Sequence, residues 1–329
     1  KWMNKSFLRP PVRTRLGAIF LRTSLASYEL SMCVVFWTTH DPDYSLILLA
    51  NRDEFLQRPA EPAAWRTHGH RILCGIDEVA GGTWVGMSSS GAISALTNVY
   101  EFPQVRTTAD GRPLQSRGEL VKQWLQGHES SNTLDHMYAS RHAYGAFNLL
   151  LGRIKDGHVY MNYLTNRPSD APIRSWHEPK VRGLSNSSPN DPWPKVRWGE
   201  ALVEDVLARE RHDEAELIER LFEVLQSTSA SSATQEDLPR LIHVPPMRMP
   251  SSADGTRLAS AQEVREGTTG WYGTRTSTMI LVSRAAPYRA VFVERDCYTL
   301  HKNEPRRICY TDPVERAKHE RYYEWELTE

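Results

Sequence analysis

Residues 33–54 read CVVFWTTHDPDYSLILLANRDE. Cys33 to Thr39 is rich in β-branched and aromatic side chains, and Tyr44 to Ala50 is a second such run. Asp41, Pro42 and Asp43 between them carry turn chemistry, so the stretch predicts a hairpin. A polar tetrad, Asn51-Arg52-Asp53-Glu54, ends the second strand in this reading. Polar groups at strand ends are where a scaffold presents side chains to a cleft.

Three more hairpins follow the same logic. Trp84 to Met87 pairs with Ala92 to Asn98 across a Ser-rich turn, and Gly145 to Gly152 with His158 to Leu164 around Lys155-Asp156-Gly157. Thr278 to Ser283 pairs with Arg289 to Glu294 around Ala286-Pro287. Helical periodicity lies between them, over Ser116 to Leu125, Lys195 to Arg209 and Asp213 to Gln226. In the last, Leu217, Ile218, Leu221, Phe222 and Leu225 form a core-facing stripe and Asp213 caps the start. Strand pairs, then helices, then a returning strand pair predict an α+β fold of antiparallel sheets covered by helices. Ser227 to Glu236 and Pro250 to Glu263 read as surface loops, and the charged, aromatic stretch 312–329 as a peripheral helix.

Composition narrows the function classes. The 329 residues are 40% hydrophobic and 24% charged, enough for a sizeable core. Basic and acidic residues balance at 40 each, so no bulk attraction to nucleic acid or anionic membrane is expected. No apolar run approaches the roughly 18–20 residues of a transmembrane segment. Four cysteines, without a C-x-x-C pair, fit a reducing compartment, with Cys74, Cys297 and Cys309 as buried thiols. Neither a metal nor a cofactor is assigned; His68 and His70 read as a solvated loop pair, and His212 and His319 as surface residues.

Residues 1–31 stand apart, with Lys1, Lys5, Arg9, Arg13, Arg15 and Arg22 against the single acid Glu29. An Arg-rich, acid-poor leader suits a mitochondrial presequence. The alternative is upstream sequence, with Met32 as the initiator. Both readings put 1–31 outside the fold and 32–329 in a single domain.

Beyond the tetrad, several clusters recur in order: Met32-Cys33, Arg58-Pro59, Gly81-Gly82-Thr83-Trp84-Val85-Gly86, Leu96-Thr97-Asn98 and Gly145-Ala146-Phe147-Asn148-Leu149-Leu150. Gly183-Leu184-Ser185-Asn186, Pro192-Trp193-Pro194-Lys195-Val196 and Tyr272-Gly273-Thr274-Arg275 complete the set. Together they resemble the NRDE domain of the transport and Golgi organisation protein 2 family, over roughly residues 32 to 295. The resemblance implies an N-terminal-nucleophile hydrolase-like αββα sandwich of two antiparallel sheets flanked by helices. By similarity to cysteine amidases of that fold it also implies a site built from Cys33, Arg52, Asp53, Asn98, Asn186 and Arg275. Family association further implies Golgi organisation and protein secretion, mitochondrial lipid or haem handling, and a cytoplasmic location with Golgi or mitochondrial association.

The chemistry is coherent. An ordinary thiol, with a pKa of about 8.5, is mostly protonated at neutral pH, and Arg52 and Arg275 would favour the thiolate. A free α-amine on Cys33 can take the thiol proton, Asp53 can orient it, and Asn98 and Asn186 can donate to an oxyanion. The mechanism requires Cys33 to be the mature N-terminus. Bland readings compete: Arg52 with Asp53 as a structural ion pair, and the two asparagines as turn formers. The functional alternatives are hydrolysis of an amide or thioester of a small acylated molecule, binding of a hydrophobic or haem-like cargo, and a scaffold acting through its surfaces alone.

Overall fold

Val34–Thr38 (β1) and Tyr44–Phe55 (β2) form the expected hairpin, with Val34 opposite Asn51 and Thr38 opposite Ile47. Asp41 Oδ1 accepts the N–H groups of Asp43 and Tyr44 and so ties the turn. A computed structural model describes residues 32–68, 70–101, 105–127, 131–228, 233–249 and 270–328. The leader 1–31, the stretch Pro250 to Glu263 and the side chains of His68 and His70 lie outside the described residues.

Ala60–His68 (β3), His70–Asp77 (β4), Val85–Ser88 (β5), Ala92–Asn98 (β6), Phe147–Lys155 (β7), His158–Thr165 (β8) and Arg174–Trp176 (β9) follow one another across a single antiparallel sheet. The other sheet holds Arg182–Leu184 (β10), β1, β2, Gly270–Ser283 (β12), Arg289–Asp296 (β13) and Glu320–Glu326 (β16) in that spatial order, with Met247–Met249 (β11) also paired to β12. Tyr298–His301 (β14) and Glu304–Arg307 (β15) make a separate hairpin.

Period-two alternation sorts the side chains of each strand onto two faces. Val35, Trp37, Leu46, Leu48, Ile280 and Phe292 of the β1 sheet meet Leu73, Met87, Ile93, Leu150 and Tyr163 of the β3–β9 sheet in one core. The opposite residues, among them Val34, Phe36, Ile47, Leu49 and Leu281, pack under Pro194–Ala208 (α3) and Glu214–Leu225 (α4). Gly118–Leu125 (α1) and Ser131–Ser140 (α2) cover the outer face of the other sheet, with Leu120, Val121, Trp124 and Leu125 against Ile72, Leu149 and Leu151. The layers are therefore helix, sheet, sheet, helix. Each fully buried Leu, Ile or Phe in them contributes about 1.5–3 kcal/mol, which is what makes the alternation decisive.

The helix predictions hold, and Asp213 accepts from Glu216 N–H at 2.7 Å as the α4 cap. Close approach of α3 depends on Gly199, where a Cβ would lie 2.1 Å from the Phe36 ring.

Four expectations need correction. The tetrad 51–54 does not end its strand; β2 runs on to Phe55 because β12 continues the ladder beside it, Tyr272 opposite Phe55. Likewise the strand expected over Thr278 to Ser283 starts earlier, at Gly270, so Gly273 to Ser277 lie within β12. Helix over 312–329 is confined to Pro313–His319 (α5), after which β16 pairs with β13, and its alternating ERYYEWE pattern suits a half-exposed edge strand. His319 is buried against Asp296, at 3.3 Å, and is not a surface residue.

Candidate active site around Cys33

Cys33 stands one residue before β1 and is 5% exposed. Val34 faces Asn51 on one side, and Val35 faces Leu184 on the other. Extending the register by one residue on the β2 side and by two on the β10 side aligns Cys33 with Arg52 and Asn186. Directly opposed antiparallel residues have Cα atoms about 4.5–5.5 Å apart and share a face. Strict alternation from Val35 and Trp37 would make that the inter-sheet face. The Ser185 hydroxyl lies 2.8 Å from the Cys33 carbonyl and 3.1 Å from Asn186 Oδ1, and Tyr100 N–H donates to the Asn186 carbonyl at 2.7 Å.

The other sheet holds this loop in place. Thr97 donates to the Ser185 carbonyl at 2.6 Å, and Asn148 Nδ2 to the carbonyls of Ser185 and Ser187 at 2.8 and 3.0 Å. Tyr163 in turn donates to Asn148 Oδ1 at 2.7 Å. Asn98 is the last residue of β6, opposite Phe147, and alternation gives it the face of Leu96 rather than that of Thr97.

Arg52 is nearly enclosed between the sheets. Its Nη2 lies 2.9 Å from Asp77 Oδ2, and its guanidinium stacks 4.0 Å over Trp84. Arg58 shares Asp77 at 2.8 Å, and Glu54 lies 3.9 Å from Arg52. Arg275 occupies a register shift between Thr274 and Thr276, and its guanidinium donates to the Arg58 carbonyl. Burial and the neighbouring charge of Arg52 hold Arg275 below its ordinary value. Asp77 is held low: burial opposes its charge, but the Arg58 hydrogen bond and the Arg52 charge outweigh it.

Asp53 belongs to the opposite face. Its Oδ1 accepts from Thr274 at 2.6 Å, and its Oδ2, with no hydrogen bond among the described residues, lies 3.8 Å from Lys195 Nζ. Both side chains are fully buried. Burial pushes Asp53 up to about 7 against the pull of Lys195 and Thr274, and burial lowers Lys195. Lys195 also donates to the Met32 carbonyl at 2.5 Å, and the Met32 N–H donates to Tyr272 OH at 3.0 Å. Arg52 and Asp53 are therefore not ion-paired with each other, because successive strand residues point to opposite faces. Asp53 is linked through Lys195 to the Met32 carbonyl, which is bonded to the Cys33 nitrogen, and Lys195 and Tyr272 both interact electrostatically with Cys33.

Sequence reasoning missed Lys195, Asn148, Asp77 and Tyr272 as parts of this region. The first two and Tyr272 stood inside quoted motifs with no role attached; Asp77 carried no signal at all. None of the four cysteines is in a disulfide, and Cys309 is exposed rather than buried. No group of three or more His, Cys, Asp or Glu residues suited to a metal occurs among the described residues. No helix among them is long and apolar enough to cross a membrane.

A model of the family described as Transport and Golgi organisation 2 matches residues 32–299. The chain belongs to the Transport and Golgi organisation 2 family. The Bos taurus Transport and Golgi organization protein 2 homolog is 34% identical over 278 residues, which is 80% of this chain and 92% of that protein. The Drosophila melanogaster Transport and Golgi organization protein 2 is 28% identical over 200 residues, 56% of this chain and 67% of that protein. A solved structure, the Caenorhabditis elegans N-acylethanolamine-hydrolyzing acid amidase (NAAA) ortholog, is similar with a TM-score of 0.42 and 15% identity, over 69% of this chain and 98% of that one. Superposition at that level says nothing about chemistry. The family match covers the whole of the Cys33 region and both sheets up to β13.

Proposed function

We propose that this member of the family is a cysteine hydrolase of an amide or thioester, with Cys33 as nucleophile once its α-amine is free. The observation that carries the reading is the register of the β2 and β10 ladders, whose extension aligns Cys33 with Arg52 and Asn186, beside the buried Asp53–Lys195 pair that reaches the Met32 carbonyl. In the reaction the α-amine takes the thiol proton, and sulfur attacks the carbonyl carbon. Asn186 is the amide donor for the oxyanion that the register supports; Arg275 enters through the family resemblance alone, as does Asn98, which alternation places on the outer, helix-covered face of its sheet. Collapse breaks the C–N or C–S bond, the leaving amine or thiol takes the proton from the α-ammonium, and water then hydrolyses the acyl thioester. Arg52, held by Asp77 through Nη2 while its Nη1 has no hydrogen bond among the described residues, is the cation assigned to favour the thiolate. The names of the relatives point to Golgi organisation and transport as the setting in which such an activity is used.

The decisive experiment compares chains beginning at Cys33 with chains retaining residues before it, using small acyl amides and acyl thioesters. Turnover is expected only for the former and is abolished by Cys33→Ala. Turnover that survives Cys33→Ala, or a Cys33 thiol no faster than Cys74 or Cys297 toward an alkylating reagent at neutral pH, would sink the proposal. A second reading, a carrier of hydrophobic or haem-like cargo, predicts binding that Cys33→Ala leaves unchanged and no turnover.

A further inference from the structure

A free amine on Cys33 requires Met32 to be gone, and the structure shows how thoroughly Met32 is held. It is 5% exposed and packs in an apolar cluster with Phe55, Leu238, Leu241, Val244, Met247 and Tyr272. Its N–H donates to Tyr272 OH and its carbonyl accepts from Lys195 Nζ. Tyr272 and Lys195 are both fully buried. One residue thus fills an apolar hole, satisfies a buried hydroxyl and satisfies a buried amine.

A chain that begins at Cys33 loses all three contributions together. Lys195 is left with Asp53, 3.8 Å away, and Tyr272 OH loses its donor. Buried polar groups deprived of partners are costly, and a dry apolar hole forfeits its packing. The lost contacts have a definite chemical form: an unbranched apolar chain, an amide N–H and a carbonyl, in the order in which an acylated amino acid presents them.

We propose that the seat of Met32 becomes a ligand subsite in the chain that starts at Cys33, taking the acyl half of a hydrophobic N-acylamino-acid amide or thioester. The proposal rests on the hydrolase reading above and assigns its substrate class. The ligand N–H donates to Tyr272 OH, its carbonyl accepts from Lys195, and its side chain fills the cluster around Val244 and Met247. Because the Met32 carbonyl is bonded to the Cys33 nitrogen, a carbonyl in that seat adjoins the nucleophilic residue.

The test is calorimetric titration of N-acetyl-L-methioninamide into the chain beginning at Cys33 and into the chain retaining Met32. Saturable binding is expected for the first and none for the second, whose seat is filled. N-acetylglycinamide, lacking the side chain, binds at least about tenfold more weakly. Tyr272→Phe, which keeps the ring packing, weakens methioninamide binding about tenfold, and Lys195→Met weakens it further. Equal binding to both chains, no binding to the Cys33 chain, or indifference to Tyr272→Phe overturns the subsite. Cys33-dependent turnover of a plain acyl thioester in a chain that ignores methioninamide keeps the hydrolase and removes the subsite. Binding without any turnover keeps the subsite and removes the hydrolase.

Discussion

Arg52 and Asp53 are adjacent on β2 and take separate partners on opposite faces of the sheet: Arg52 lies 2.9 Å from Asp77 between the two sheets, and Asp53 lies 3.8 Å from Lys195 on the helix side. Cys33 lies at the head of the neighbouring strand, one residue before β1, and Lys195, the partner of Asp53, donates to the carbonyl of Met32 that precedes it.

Asp53 makes stability depend on pH. Burial raises it to about 7, against an unfolded value of about 3.9. From about pH 4 to 7 the folded chain therefore holds a proton that the unfolded chain has released. The contribution is complete below pH 4 and is lost as pH rises through 7, by at most about 1.4 kcal/mol per unit. Asp53→Asn should flatten that slope in urea unfolding series from pH 4.5 to 7.5; parallel curves for the two proteins would count against it.

Asp77→Ala leaves the enclosed guanidinium of Arg52 and that of Arg58 without their shared carboxylate. Breaking a pair of this kind by removing one partner costs about 2–4 kcal/mol, more than an exposed pair would. The expected readout is a lower urea midpoint with unchanged slope. A loss below about 0.5 kcal/mol would mean that water replaces Asp77.

Asn148→Ala should loosen the 185–187 loop from the opposite sheet. It removes two hydrogen bonds to backbone carbonyls and strands the Tyr163 hydroxyl, a loss of about 2–4 kcal/mol. Amide exchange within that loop should accelerate more than in the helices. Uniform acceleration would instead indicate a purely global effect.

Gly199→Ala pits helix propensity against packing. Alanine favours the helix by about 1 kcal/mol, whereas a Cβ 2.1 Å from the Phe36 ring overpacks a fully buried site at a cost of about 1–3 kcal/mol. Net destabilisation is expected, with recovery in the double variant carrying Phe36→Leu. A thermal midpoint raised by Gly199→Ala alone would contradict the packing argument.

Legibility followed the range of the interaction. The four predicted hairpins and the helices α1, α3 and α4 were readable because a turn and a repeat of 2 or 3.6 residues are local properties. β3 and β4 were not: AEPAAWRTH interrupts its alternation with a proline, and its strand character comes from pairing with β4 and from Ala63 and Trp65 packing on the inter-sheet core. β16 was read as helix because its alternating stripe is only Tyr323 and Trp325, set among charged residues and packed on the core only once β13 pairs beside it. Cys33, Arg52, Asp53 and Asn186 were nameable from motifs, yet nothing in the tetrad says that its second and third residues part company.

By itself, then, the chain sequence determined the four hairpins, three of the helices and the family. Tertiary structure alone decided that β12 lies against β2 across more than 200 residues, that Lys195 is buried beside Asp53, and that Asn148 braces the Asn186 loop. The physical reason is that a polar side chain's role is set by whatever buries it. Those neighbours come from strands and helices far away in the chain, brought near only when the two sheets close on their common core.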